Sequence, residues 1–309
     1  MRAVVLKAPG ILELDSVPKP VCEKDTLLIR VITACICNGS DPTIARDRNR
    51  KDFPIVFGHE AYGEIVEIGD EVSGFTIGER ISWWFTLGAF GEYVLVRPKE
   101  VAIVRLSETV PREEAPVFEL VIAASRAVYA AEVKGKRIVI QGLGPSGLIM
   151  AQLFRSLGAE EVMGVDLYEN RKKLGVKYGC ASLRRDCEYD VLVDAFGDER
   201  KEEGVTLRDT LAGLKFGGEL ILYGQPAHGR RIDYRILQDK QVKVKVPTND
   251  IAAIREMADK SLSCYREGRL SLRELVTDVI RLQDVPMALK QVEEQPDRHI
   301  KMIVDIERS

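Results

Sequence analysis

The chain has 309 residues, 45% of them hydrophobic and 30% charged, and a net charge of -3. That is enough apolar material for the cores of two domains and gives no compositional case for disorder. Nor does it give an electrostatic reason to expect nucleic acid or an anionic membrane as partner, and no apolar run approaches the ~18 residues of a membrane span.

The opening MRAVVLKAPG reads as strand and turn, its apolar run too short for a signal peptide. Residues 2–7 and 11–15 form a hairpin pattern around Ala8, Pro9 and Gly10. Segments 26–33, 61–68 and 92–97 alternate as half-buried strands, punctuated by glycine and proline as in a small β-barrel. The charged segment 46–52 reads as a solvated loop. From about Pro111 the character changes. Residues 113–131 have helical spacing, and strand candidates 137–141, 161–166, 190–195, 218–223 and 241–246 then alternate with helices. This predicts an α/β fold with a doubly wound parallel sheet. Helices over 249–267 and 284–294 and a strand over 299–306 close the chain. Six cysteines (Cys22, Cys35, Cys37, Cys180, Cys187, Cys264) are scattered rather than set in a disulfide framework. Cys35 and Cys37 alternate on a strand end and should not pair, so a reducing cytoplasm is expected.

The most informative stretch is 136–166. A β-branched run breaks into Gly142-Leu143-Gly144-Pro145-Ser146-Gly147, a helical pattern follows to Gly158, and a second strand ends on Asp166. Gly142 permits a tight turn, Gly144 a close approach of a pyrophosphate, and Gly147 close packing of helix on strand. The helix start offers free N–H groups to phosphate. Asp166 stands at about the ~20-residue distance at which an acid binds the adenosine ribose. It would repel a 2′-phosphate, which favours NAD over NADP, although Arg171 and Lys172 follow closely.

A second constellation precedes it. A lone histidine is commonly just a packed residue, but His59, in Phe57-Gly58-His59-Glu60, has notable company. Cys37 ends an upstream strand, Glu60 adjoins the histidine, and Glu119 sits inside the apolar run PVFELVIAA. A buried carboxylate needs a partner, and a divalent cation is one. Cysteine, histidine and carboxylate together suit zinc with a position left open for substrate.

With ICNGSD, FGHEAYGEIVEIGDEV, IGERI, GAFGEYVLV, GLGPSG with its acid, and HIKMIVDI, the chain resembles the zinc-dependent medium-chain dehydrogenase/reductase family of alcohol and polyol dehydrogenases over nearly its whole length. The resemblance implies a GroES-like catalytic domain from 1–110 and 247–309, with a Rossmann domain over 111–246 that binds NAD. It implies Cys37, His59 and Glu119 as zinc ligands, Glu60 as a direct or alternating ligand, Asp41 as the carboxylate orienting the histidine, and Arg171 as the basic residue near the ribose. Three departures stand out. No cysteine lobe separates 81–88 from 91–93, so one catalytic zinc and no structural zinc are expected. Ser40 follows Cys37 by three residues rather than the commoner two, and no histidine follows it to relay a proton.

The expected reaction is reversible oxidation of a secondary alcohol or polyol, with zinc polarising the substrate oxygen and Ser40 receiving its proton. Phe196 with Gly197, and Gly224, Gln225 and Pro226, should line the nicotinamide. Trp83, Trp84, Phe85 and Phe118 are candidates for the substrate wall. The alternatives are a zinc-free reductase of activated double bonds and a nucleotide sensor without turnover. Strand 241–246 at a sheet edge predicts a homodimer or homotetramer. His228 and His299 need no functional role.

Overall fold

The computed structural model describes residues 1–184, 186–196, 206–225 and 232–308. They form two compact units, Met1–Ile122 with Leu272–Ser309, and Ala123–Ser271.

The first unit opens with the hairpin β1 (Arg2–Ala8) and β2 (Ile11–Ser16), then β3 (Leu27–Cys35), α1 (Ser40–Arg46) and β4 (Ile55–Val56). β5 (Glu60–Ile68), β6 (Arg80–Trp83), β7 (Tyr93–Val96) and β8 (Ile103–Arg105) follow, and α2 (Phe118–Ala130) begins in this unit. In the second unit come β9 (Arg137–Gln141), α3 (Pro145–Ser156), β10 (Glu161–Val165), α4 (Glu169–Lys177) and β11 (Ala181–Ser182). They are followed by β12 (Tyr189–Asp194), α5 (Leu207–Gly213), β13 (Leu214–Leu222), α6 (Tyr234–Asp239), β14 (Lys243–Lys245) and α7 (Ile251–Arg266). The chain returns to the first unit with β15 (Val276–Arg281), α8 (Val285–Glu294) and β16 (Lys301–Asp305).

In the first unit one sheet runs β2-β1-β4 and the other β15-β16-β3-β5-β6-β8, with β7 also paired to β3. β3 is the organising strand, bonded antiparallel to β5, β7 and β16. Its residues are buried on both faces, which explains why 26–33 shows only partial alternation in sequence. Leu27, Ile29, Val31, Phe57, Trp83, Phe90 and Val304 belong to one core cluster.

The second unit is a six-stranded parallel sheet of order β11-β10-β9-β12-β13-β14. The reversal of direction on either side of β9 is the mark of double winding. Its core gathers Val139, Met163, Leu192, Leu211 and Leu220. β14 is an edge strand, as the sequence implied.

The units break after Ile122 and after Ser271, whereas the sequence boundaries were drawn at 110/111 and 246/247. The reason lies in side-chain bonding. Gln152 of α3 exchanges hydrogen bonds with Ser271, and Ser156 meets Cys264 of α7, so α7 stays with the nucleotide sheet. The helix α1 and the strands β4, β6, β8, β11 and β15 were not foreseen. The final strand begins at Lys301 rather than 299. All six cysteines are free. No helix among the described residues is long and apolar enough to cross a membrane.

Candidate active site

The register of the first unit's sheet assembles the site. Cys35 of β3 faces Glu60 of β5 on one side and Ile303 of β16 on the other. Side chains alternate along a strand, so Lys301, two residues before Ile303, shares their face. Gly58 has φ +79, and a Cβ there would lie 2.6 Å from the Phe90 ring. Only glycine fits, and the turn it makes delivers His59 and Glu60 into the interior.

Cys37, His59 and Glu60 each bring a ligand atom into one group whose members all lie within 4.8 Å of one another. The Ser40 hydroxyl donates to Cys37 Sγ at 2.8 Å and lies 3.3 Å from His59 Nε2. Asp41, fully buried, accepts from the Cys37 N–H at 2.9 Å and places Oδ1 2.9 Å from His59 Nδ1. That fixes the imidazole with Nε2 toward the group. Glu119, in the first turn of α2, is buried and accepts the Phe85 N–H at 3.2 Å. It stands outside the tight three-residue group.

The sequence reading placed Cys35 and Cys37 on opposite faces of one strand, but residues two apart on a strand share a face. β3 in fact ends at Cys35, so strand alternation does not extend to Cys37. The Cys35 thiol donates to Glu60 Oε2 at 2.7 Å, while Cys37 joins the group that includes Glu60. Lys301 went unnoticed in the sequence. It is fully buried, pairs with Glu60 Oε2 and donates to the Ile36 carbonyl at 3.1 Å.

The electrostatics follow from this geometry. Burial works against charge on Glu60, yet Lys301 and His59 hold its carboxyl below the usual range. Burial pulls His59 down, but Asp41 and Cys37 outweigh it and hold the imidazole well above its ordinary value. Burial and the Glu60 charge push Glu119 up to about 8, and burial with Glu60 raises the Cys35 thiol well above its usual value.

These residues fit zinc. A thiol, an imidazole and a carboxylate converge, and Glu60 Oε1 is buried with no hydrogen bond among the described residues. A divalent cation would satisfy that orphan oxygen.

Of the aromatic wall candidates, Trp83 and Phe118 are fully buried core, and Trp84 is half-buried. Phe85 differs. It is 46% exposed, has φ +47, and its ring centroid lies 4.6 Å from that of His59. His299, which the sequence left without a role, pairs with Asp278 at 2.8 Å and accepts the Asn38 side-chain amide at its carbonyl.

In the second unit the glycine loop joins β9 to α3. Gly142 has φ +101, and a Cβ on Gly147 would lie 2.0 Å from the Gly142 carbonyl oxygen. A Cβ on Gly144 would meet nothing nearer than Arg171 Nη1 at 4.0 Å. Gly144 caps α3 without a side-chain bond, Pro145 sits in the first turn, and the Tyr223 hydroxyl reaches Ser146 at 3.2 Å. The open space and free helix N-terminus fit a pyrophosphate. Asp166 accepts the N–H groups of Leu143 (2.8 Å) and Tyr168 (2.9 Å), and lies 3.8 Å from Arg171. The Phe196 N–H reaches Asp194 Oδ1 at 3.4 Å and the Gly224 N–H reaches the Asp194 carbonyl at 2.8 Å, so both loop starts are tied to the end of β12. Gln225 is exposed. Gly197, Pro226 and His228 lie outside the described residues.

The alcohol dehydrogenase GroES-like domain matches residues 23–107. Together with the fold and the relatives below, that match supports the resemblance to the medium-chain dehydrogenase/reductase family. Among curated relatives, L-threonine 3-dehydrogenase of Idiomarina loihiensis is 29% identical over 279 aligned positions, 77% of this chain and 80% of that one. Galactitol-1-phosphate dehydrogenase from Escherichia coli shares the fold at TM-score 0.85 and 17% identity, over 99% of this chain and 100% of that one. A protein described as a zinc-binding dehydrogenase from Sinorhizobium meliloti 1021, solved bound to NADP, superposes at TM-score 0.83 and 21% identity over 99% of each chain.

Proposed function

We propose that this chain is a zinc-dependent, NAD(P)-linked dehydrogenase that reversibly oxidises a secondary alcohol, polyol or sugar to the carbonyl. The observation that carries the reading is the convergence of Cys37, His59 and Glu60, with one Glu60 oxygen buried and unsatisfied. The relatives named for L-threonine and galactitol 1-phosphate both act on hydroxyl-bearing molecules, in keeping with it. A zinc-free double-bond reductase has no use for such a donor set.

Cys37, His59 and Glu60, with Glu119 close by, would hold a zinc ion, which would supply Lewis-acid polarisation of an alcohol oxygen. The other steps belong to the chain. Asp41 keeps the Nδ1 proton of His59 in place, which leaves Nε2 a lone-pair donor. Ser40 Oγ receives the substrate hydroxyl proton as its own hydroxyl proton passes to water. Phe85 presents an apolar face beside the imidazole, where a substrate carbon chain can lie. A bound nicotinamide would supply the hydride acceptor. Gly142 to Gly147 and the start of α3 bind its pyrophosphate, Asp166 and Arg171 flank the ribose, and Phe196, Gly224 and Gln225 belong to the nicotinamide end.

The catalytic role thus goes to the unit built on the GroES-like match and the nucleotide to the parallel sheet. NAD is the preferred cofactor because Asp166 opposes a 2′-phosphate. One zinc per chain is expected, since no cysteine occurs between β6 and β7. The exposed edge of β14 supports pairing with a second copy, and the free cysteines suit a reducing cytoplasm.

The test is metal content by mass spectrometry of wild type and Cys37→Ser, with a panel of secondary alcohols and polyols and NAD. About one zinc per chain, lost in the variant together with turnover, is expected. Wild type without zinc after reconstitution would refute the reading.

A further inference from the structure

We infer that Lys301, helped by Cys35, is the positioning residue that makes Glu60 a one-oxygen metal ligand. Two donors are arranged around this carboxylate by the sheet register, and their distribution is lopsided. Lys301 Nζ pairs with Oε2 and is anchored behind by the Ile36 carbonyl at 3.1 Å. The Cys35 thiol donates to the same Oε2 at 2.7 Å. Oε1 receives nothing among the described residues, although it is buried. An ion pair that served only the fold would gain by satisfying both oxygens, because a bare buried acceptor costs free energy. Here both partners hold one oxygen, which leaves the other uncommitted in a residue grouped with Cys37 and His59. A carboxylate so held can neither rotate away nor offer two oxygens at once. β16 thereby ties a residue of the chain's last strand to the coordination chemistry of residues 37–60.

The inference rests on the zinc reading above, and its test separates the two. Full-length wild type, Lys301→Met, Lys301→Arg, Glu60→Gln and the double variant Glu60→Gln/Lys301→Met are loaded with zinc or cobalt. Zinc affinity is measured against a chromophoric chelator, and the visible spectrum of the cobalt form reports coordination. Lys301→Met should bind zinc at least about tenfold more weakly, the usual scale for losing a partner of a metal ligand, and its cobalt spectrum should change. Lys301→Arg should restore both. In the Glu60→Gln background Lys301→Met should add nothing, because the lysine acts through that carboxylate. Should Lys301→Met fail to fold, that last comparison, made on a neutral pair, carries the test. Wild-type affinity or an unaltered cobalt spectrum in Lys301→Met overturns the inference, as does an equal loss in the Glu60→Gln background. A wild type that takes up no zinc overturns the zinc reading and this inference with it.

Discussion

Stripped of metal, the site holds three buried carboxylates (Asp41 beside His59, Glu60 and Glu119) and one buried ammonium, Lys301. Lys301 pairs with Glu60, so Glu119 bears the excess charge and is pushed up to about 8 by burial and by Glu60. In the unfolded chain its value returns to 4.5. Between those limits the folded state holds a proton that the unfolded state has lost, so stability falls as pH rises through this window. The rise from 4.5 to about 8, at about 1.4 kcal/mol per unit, sets a ceiling of about 5 kcal/mol. Domains are stable by only about 5–15 kcal/mol, so the metal-free protein should be far weaker at pH 8 than at pH 5. Urea unfolding in chelator at intervals from pH 5 to 8.5 measures this, with Glu119→Gln as the comparison. The variant keeps an acceptor for the Phe85 N–H but cannot ionise, so the slope assigned to Glu119 should vanish. Equal slopes in wild type and Glu119→Gln would refute the account.

Zinc uptake at neutral pH should release protons from His59 and Glu119, read as a buffer-dependent heat of binding; a heat independent of buffer would contradict their protonated metal-free state. Ser40→Ala should lower kcat by about 10²–10⁴ with zinc content unchanged, the range for losing a proton acceptor. A loss below tenfold (about 1.4 kcal/mol) would remove Ser40 from the proton path. Gly147→Ala places a methyl against the Gly142 carbonyl and should destabilise by about 1–3 kcal/mol. Gly144→Val has room in the fold and should melt normally while losing NADH binding in a fluorescence titration. Asp166→Asn should raise the NADP to NAD ratio of kcat/KM. It should also lower the melting temperature slightly, because one of two backbone N–H groups loses its acceptor.

The parts of this protein legible in its sequence are those where backbone geometry restricts residue choice. The Gly142 to Gly147 loop could be placed because a turn, a close approach and a helix–strand contact each demand glycine at a fixed spacing. Segments with mixed faces were not legible. β15 reads VTDVIR, with valine, isoleucine and aspartate sharing one face, so period two gives no apolar stripe even though it pairs in parallel with β16. α1 carries Asp41-Pro42 in its first turn and leads into a charged stretch. Those residues favour a turn as readily as a helix start.

Within the site, Glu119 could be found because a carboxylate inside an apolar run requires a partner. The same test applies to Lys301 in HIKMIVDI, a cation among residues that are nearly all buried. It identifies the lysine but not its counter-ion, because nothing local relates 301 to 60. That relation exists only once β3 stands between β5 and β16 and the register sets Cys35 opposite both Glu60 and Ile303. A ligand set spaced over twenty-odd residues can be inferred from residue types and intervals. The residue that positions one of those ligands comes from the far end of the chain, and it needs the sheet order before its chemistry has meaning.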